Sequence, residues 1–461
     1  MTRRAVAVAA AWVMLCIVLA LVGSRMQPMQ SPDENQHVAR AWLLADGQWR
    51  LQAPAGQMSG GAIDANLNAY ILGMLRGWAG EPELRTPPAR IAELRALRWR
   101  DDGLREFAQI PGTGYYLPLV YAPQALGLTL GSLLGWTIDD SYRLARLLAQ
   151  MSTAALLVAA WLLARPWRPP ALALGLLALP MSLFQFAAPT IDGITTGLAM
   201  VALALSWRHT LSGERLGAAT IAALATALAL LVTTRLHALP MLALPLLLAW
   251  RLRQPSLAML AAGLLALAAA WTAWAAAGTV DTRVVRELSA GAIVRHHLTA
   301  PWEFAAVVGR TLAAPAWREF MGSSFVGVLG WLDTPLPPGA YRALGLGLLG
   351  LAIGGAAGAS LAMPHGPMRA IRLLGVGMAL VSALIVFAAL LAAWTPHPAT
   401  IIQGMQGRYL LLPALLASCA LLPALPAPAM GRRLIPWTVL AIFAMLSLVL
   451  LLQVLQARYG A

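Results

Sequence analysis

The chain has 461 residues, of which 59% are hydrophobic and only 11% charged, and its net charge is +14. One soluble core cannot hide that much apolar surface, and the apolar runs are long enough to cross a bilayer, so composition excludes a soluble globular protein and points to a polytopic membrane protein. The arginines lie mostly beside apolar runs or in one long loop, which reads as membrane orientation rather than nucleic-acid binding.

Lysine is absent, which fits a GC-rich bacterial genome. Cys16 and Cys419 both fall inside apolar runs, where neither a disulfide framework nor a thiolate metal cluster can be built. The first apolar run, Ala5 to Gly23, follows Arg3 and Arg4. It is expected to be a retained anchor with its N-terminus in the cytoplasm.

The stretch from Ser31 to Arg40 comes next. Ser31 suits a helix N-cap, Pro32 the first helical position, and Glu34 closes a capping box. If the helix continues, Asp33, His37 and Arg40 fall at i, i+4 and i+7, so an acid, a base and a cation share one face. A helix cap and a reactive group are both compatible with that pattern.

Residues 24–140 hold no clean span and read as a long first extracytoplasmic loop. Within it Ile91, Leu94, Leu97, Leu104 and Phe107 recur at near-helical spacing among arginines, which predicts a helix lying on the membrane surface. The run from Tyr115 to Trp136 is apolar but broken by prolines and glycines, as in a re-entrant or interfacial helix. From Tyr142 the chain returns to a span ending at Arg165 and Arg168. Arg208, Arg215, Arg251, Arg253, Arg369, Arg372, Arg432 and Arg433 then alternate with apolar runs on the cytoplasmic side, predicting an all-α polytopic fold with about 11 transmembrane helices. Two further extracytoplasmic segments are expected at 279–340 and 394–408.

This tracing puts Asp33, Glu34, His37, Asp192, Arg235, His237, Asp333 and Arg408 near the outer interface. Asp192, close to Thr190 and beside Gly193, is either a turn aspartate or a substrate contact. Arg235 and His237 occupy a short turn between apolar runs, where an arginine runs against the positive-inside bias. Its guanidinium suits a phosphate, and the alternative is a snorkelling anchor. Arg408, in Gln406-Gly407-Arg408-Tyr409, has the same two readings. Trp331 and Asp333 open a rigid, proline-rich loop. His296 and His297 have no metal-ligating partner at helical spacing and are expected to be a solvated loop pair. There is no Walker motif, dinucleotide fingerprint or nucleophile elbow.

Three phrases carry a resemblance together. They are Pro32-Asp33-Glu34-x-x-His37-x-x-Arg40-Ala41, Gly330-Trp331-Leu332-Asp333-Thr334, and Gln406-Gly407-Arg408-Tyr409 before Pro413. The chain resembles, from about Val6 to Leu455, a bacterial family of predicted membrane proteins known as domain of unknown function 2142. That family in turn resembles the C-type (GT-C) glycosyltransferases, multi-span enzymes with an acidic motif in the first extracytoplasmic loop and membrane-surface helices after it.

The resemblance implies one GT-C-like domain over residues 1–461, in a bacterial inner membrane, with its active site facing the periplasm. It implies transfer of a sugar from a polyprenyl-phosphate donor to a glycan, lipid or protein acceptor, with inversion. Asp33 is then the base. Glu34 or His37 would orient it, or Asp33 and Glu34 would hold a divalent cation, Mg or Mn. Arg40, Arg235, His237, Arg408 and Tyr409 would hold the lipid phosphate, and Asp192, Trp331, Asp333 and Gln406 the substrate. Two rivals remain: a transporter or flippase of lipid-linked sugars, whose mark is ionisable residues at mid-membrane, and a non-catalytic subunit of an envelope-polysaccharide machine.

Overall fold

A backbone surrounded by lipid must bond to itself, so the long apolar runs fold as helices. A computed structural model, which describes residues 3–77, 86–165, 169–360, 367–421 and 434–460, gives the first of them as α1 (Arg3–Arg25). Short elements follow: α2 (Glu34–Ala45), β1 (Gly60–Asp64), α3 (Ala65–Arg76), α4 (Pro88–Ala96), β2 (Arg105–Gln109), two 3-10 turns and α5 (Ala122–Leu133). Then come α6 (Ile138–Leu163), α7 (Ala171–Leu177), α8 (Pro180–Ala187), α9 (Asp192–Ser212), α10 (Ala218–Val232), α11 (Ala243–Leu252) and α12 (Ser256–Ala276). Three helices, α13 (Ala290–Thr299), α14 (Pro301–Ala313) and α15 (Pro315–Val326), lead into a hairpin of β3 (Val328–Leu329) and β4 (Thr334–Pro335). The chain closes with α16 (Pro338–Ser360), α17 (Pro367–Ala393), α18 (Leu411–Leu421) and α19 (Leu434–Tyr459).

The fold is mostly helical. Among the described residues, α1, α6, α12, α17 and α19 are long and apolar enough to cross a membrane, and α8 with α9 forms a sixth candidate bent by 111°. The bend falls at Ala188-Pro189-Thr190-Ile191, where proline supplies no N–H and pushes Ala188 into extended backbone. Ala218–Val232, Leu236–Leu252 and Gly407–Leu421 are apolar but shorter. Exposed Met14, Ile17, Met259 and Ile442 give these helices an apolar outer face suited to lipid. Arg168, Arg432 and Arg433 lie outside the described residues. The turns after α9 and α11 meet, with Gln254 accepting from the Leu216 N–H at 3.1 Å and donating to its carbonyl at 3.0 Å, so these two arginine-bearing turns share a side.

One local expectation needs correction. The helix predicted through Ile91 to Phe107 stops at Ala96. Asp102 takes the Leu104 N–H at 3.0 Å, Gly103 turns the chain at φ 71°, and Phe107 enters β2. β2 pairs antiparallel with β1, Phe107 opposite Ala62 and Arg105 opposite Asp64, so the fold is not purely α. The stretch from Tyr115 to Trp136 forms a 3-10 turn, Pro118–Tyr121, and the 12-residue α5, too short to cross, in keeping with a run broken by prolines and glycines. It packs against α6 through Gly127 and Gly131, where a Cβ would run into the Ala145 backbone and into Ser141. α6 itself starts cleanly, because Thr137 caps the Asp140 N–H at 3.1 Å with Asp139 and Asp140 in its first turn.

Candidate functional site

Asp33 owes its position to its backbone. At φ 64° it sits in the left-handed region, which a side-chain-bearing residue rarely enters and aspartate tolerates better than most. The turn makes Asp33 the N-cap of α2, and it makes no side-chain cap bond. The expected Ser31 cap is therefore not formed, and Ser31 Oγ has no partner. Only the other half of the capping box survives: Glu34 takes the Ser31 N–H at 2.9 Å and the Met29 N–H at 3.2 Å.

Free of capping, the Asp33 carboxylate meets Arg408 Nη2 at 3.1 Å. It opens into a cavity of about 190 Å³ that His37, Asp192, Arg235, Gln406, Arg408 and Tyr409 also line. These residues arrive from distant places: α2, the bend into α9, the turn after α10, and the 3-10 turn Gly407–Leu410 before α18. Gly407 explains how the last is seated. A Cβ there would enter the backbone of Met321 and Phe325 in α15, and the Gly407 N–H donates to Ser324 Oγ at 2.8 Å.

Every guanidinium at the cavity has a carboxylate partner. Arg408 holds Asp33, Arg235 holds Asp192, and Arg283 holds Asp281 at 2.6 Å. Arg235 also lies 5.3 Å from the Tyr116 ring centroid and Arg408 5.2 Å from that of Tyr409. His37 is buried, its Nδ1 2.7 Å from Tyr121 Oη and its ring stacked on Tyr116 at 6.2 Å. Burial pushes the His37 imidazole down to about 4, with Arg235 and Arg408 adding to the effect and Asp192 and Asp33 opposing it, so it is neutral at pH 7. Burial likewise pushes the Tyr121 phenol well up, and that hydroxyl keeps its proton.

A smaller cavity of about 60 Å³ adjoins this one, and Asp192, Arg235, Arg408 and Tyr409 line both. His237 lines the smaller cavity. Its wall residue Phe186 also borders an apolar cavity of about 400 Å³ edged by Leu15, Leu19 and Trp161. The two arginines thus line both a polar chamber and a smaller cavity, one of whose walls, Phe186, borders apolar space.

Four expected site residues lie elsewhere. Glu34 is 0% exposed where Asp33 is 43% exposed, and its carboxylate is occupied by Tyr142, by Arg146 at 3.6 Å and by the two backbone N–H groups. The Asp33–Glu34 metal pair therefore does not form. Arg40 is fully buried and donates to the carbonyls of Gln48 at 3.0 Å and Trp49 at 2.6 Å, and it is not among the residues that line the cavity with Asp33. Trp331 donates to the Met29 carbonyl at 2.9 Å, tying the β3–β4 hairpin to the segment that leads into Asp33. Asp333 pairs with Arg458 of α19 at 2.6 Å.

Sequence reading missed Gln36, Tyr116, Tyr121, Arg283 and Trp394. The adjacent tyrosines 115 and 116 ahead of a proline were the one usable signal, whereas nothing separates Arg283 from the many other arginines of its loop. A family model described as Predicted membrane protein (DUF2142) matches residues 15–417. No curated protein and no solved structure matches the chain.

Proposed function

The chain belongs to the family of predicted membrane proteins with domain of unknown function 2142, and from that premise we propose a GT-C-type, polyprenyl-phosphate-dependent glycosyltransferase of a bacterial inner membrane. The observation that carries the reading is that Arg235 and Arg408 line both a polar chamber shared with Asp33 and a smaller cavity walled by Leu231, Phe325 and Leu412. A lipid-linked phosphate needs both environments at once: guanidiniums for its oxygens and apolar room for its chain.

The ion pairs suggest the order of events. An arriving phosphate competes for Arg408 and Arg235, which releases the Asp33 carboxylate from its 3.1 Å contact. Asp33 then takes the proton of an acceptor hydroxyl, and that oxygen bonds to the anomeric carbon. The bond from that carbon to the phosphate oxygen breaks, and the two guanidiniums stabilise the charge left on the phosphate. One displacement inverts the anomeric centre. The neutral His37 serves as a hydrogen-bonding wall rather than a second cation. No step runs through a divalent cation, because Glu34 is committed elsewhere. Sugar and acceptor, whether glycan, lipid or protein, enter from the outer side in this reading.

The decisive experiment is Asp33→Asn, scored for protein level and surface glycan in cells and for transfer from polyprenyl-phosphate sugars in detergent. Asparagine tolerates the left-handed backbone, so the substitution removes the base and keeps the turn. Transfer should fall by about 10²- to 10⁴-fold at unchanged protein level. An unaltered glycan, in a strain where deleting the protein does alter it, would remove Asp33 as base and favour transport or scaffolding.

A further inference from the structure

Away from this cavity, a second group of side chains converges that neither the family match nor the proposed function uses. His296 and His297 are not in a loop, as their sequence suggested, but in the last turn of α13. The chain breaks at Ala300-Pro301, and α14 brings Glu303 back over them, with His296 Nε2 2.7 Å from Glu303 Oε2. The partner missing at helical spacing is thus supplied across a helix break. One ligating atom from each of the three residues lies within 4.8 Å of the others.

A third imidazole arrives from the far side. His397, in the segment after α17, stands with its ring centroid 5.7 Å from that of His296 and 6.0 Å from that of His297. Both ring nitrogens of His297 and Nδ1 of His397 are buried without a hydrogen-bond partner. Buried polar nitrogens are ordinarily satisfied, so three orphans among facing imidazoles call for an occupant.

We propose that His296, His297 and Glu303, with His397 beside them, bind one divalent transition-metal ion of the zinc type. Imidazole nitrogen and carboxylate oxygen suit zinc, whereas magnesium and calcium favour oxygen alone. Zinc bonds of about 2.0–2.2 Å require the donors to draw together by a small side-chain rotation, which His296 at 41% and Glu303 at 48% exposure allow. Their exposure also gives the ion a way in. The consequence is mechanical, since the ion would clasp α13 and α14 to the 394–406 segment, whose Trp394, Gly404 and Gln406 wall the main cavity.

The test uses the full chain in detergent, purified on a tag free of histidine, stripped with a chelator, loaded with zinc alone and desalted. About one equivalent of zinc should be retained, magnesium in excess should not compete, and cobalt in its place should show the visible absorption of a low-symmetry site. His297→Ala should weaken zinc by at least about 100-fold, beyond the 10- to 100-fold typical of losing an outer contact. Glu303→Gln, a change at a half-exposed position that leaves the helices intact, should weaken it by a smaller factor, and Asp33→Asn should leave it unchanged. The proposal fails if the wild type retains no zinc, or if the folded Glu303→Gln and His297→Ala proteins retain as much as the wild type.

Discussion

Asp33 and Glu34 are chain neighbours with opposite surroundings, one half-exposed beside Arg408 and the other sealed among Tyr142, Arg146 and two backbone donors. Removing a partner from a buried charged network typically costs about 3–5 kcal/mol. Glu34→Ala should therefore lower the thermal stability of the detergent-solubilised protein sharply, while Asp33→Asn leaves it nearly unchanged. Equal melting temperatures for the two variants would contradict this division. His37 adds a pH dependence. Its folded value is about 4 against 6.5 unperturbed, so the unfolded chain takes up its proton first. The stabilisation from neutral His37 is complete above pH 6.5 and is lost as pH falls toward 4; it amounts to about 3 kcal/mol at most. His37→Gln should flatten that limb of the stability profile. Asp33, His37, Arg235 and Arg408 were readable as chemistry-bearing residues. Their pairing was not, because Asp33 and Arg408 stand 375 positions apart and Asp192 and Arg235 stand 43 apart.

Among the elements, glycines decide how closely the pieces approach. Gly127→Leu would force α5 off α6 at Ala145. Overpacking of this kind costs about 1–3 kcal/mol or more, and the expected result is a lower melting temperature and yield, with partial rescue by Gly127→Ala. Gly407→Ala meets the α15 backbone and so shifts Arg408 without touching its charge. A raised KM for the lipid donor with the fold retained is the expected outcome; an unchanged KM would show that Arg408 does not depend on this seat. The periodicity that suggested a surface helix to Phe107 failed for a local reason. Gly103 and the Asp102 turn redirect the chain, and Phe107 alternates into a strand whose partner, β1, lies more than forty residues earlier. The same limit hid the histidine group, since a break at Pro301 makes residues seven apart into neighbours.

For the whole molecule, the arginine pattern makes a claim about sides. Asp101 and Glu214 are both exposed, one in the long first loop and the other in the turn after α9. Cysteines placed at these two positions should react with an impermeant thiol reagent from opposite faces of the membrane, and reaction from one face would overturn the orientation. The two native cysteines lie in apolar helices, Cys419 buried, which keeps the background low. Membrane residence and helical architecture follow from composition and charge alone, because transfer of apolar and charged groups between water and lipid is a property of each short stretch taken by itself. The convergence of Asp33, Asp192, Arg235 and Arg408 on one cavity, the diversion of Glu34 and Arg40 into buried structural bonds, and the meeting of three histidines with Glu303 were settled only by tertiary packing. Contact between residues far apart in the chain depends on how every intervening helix is bent, broken and seated, and no local stretch contains that information.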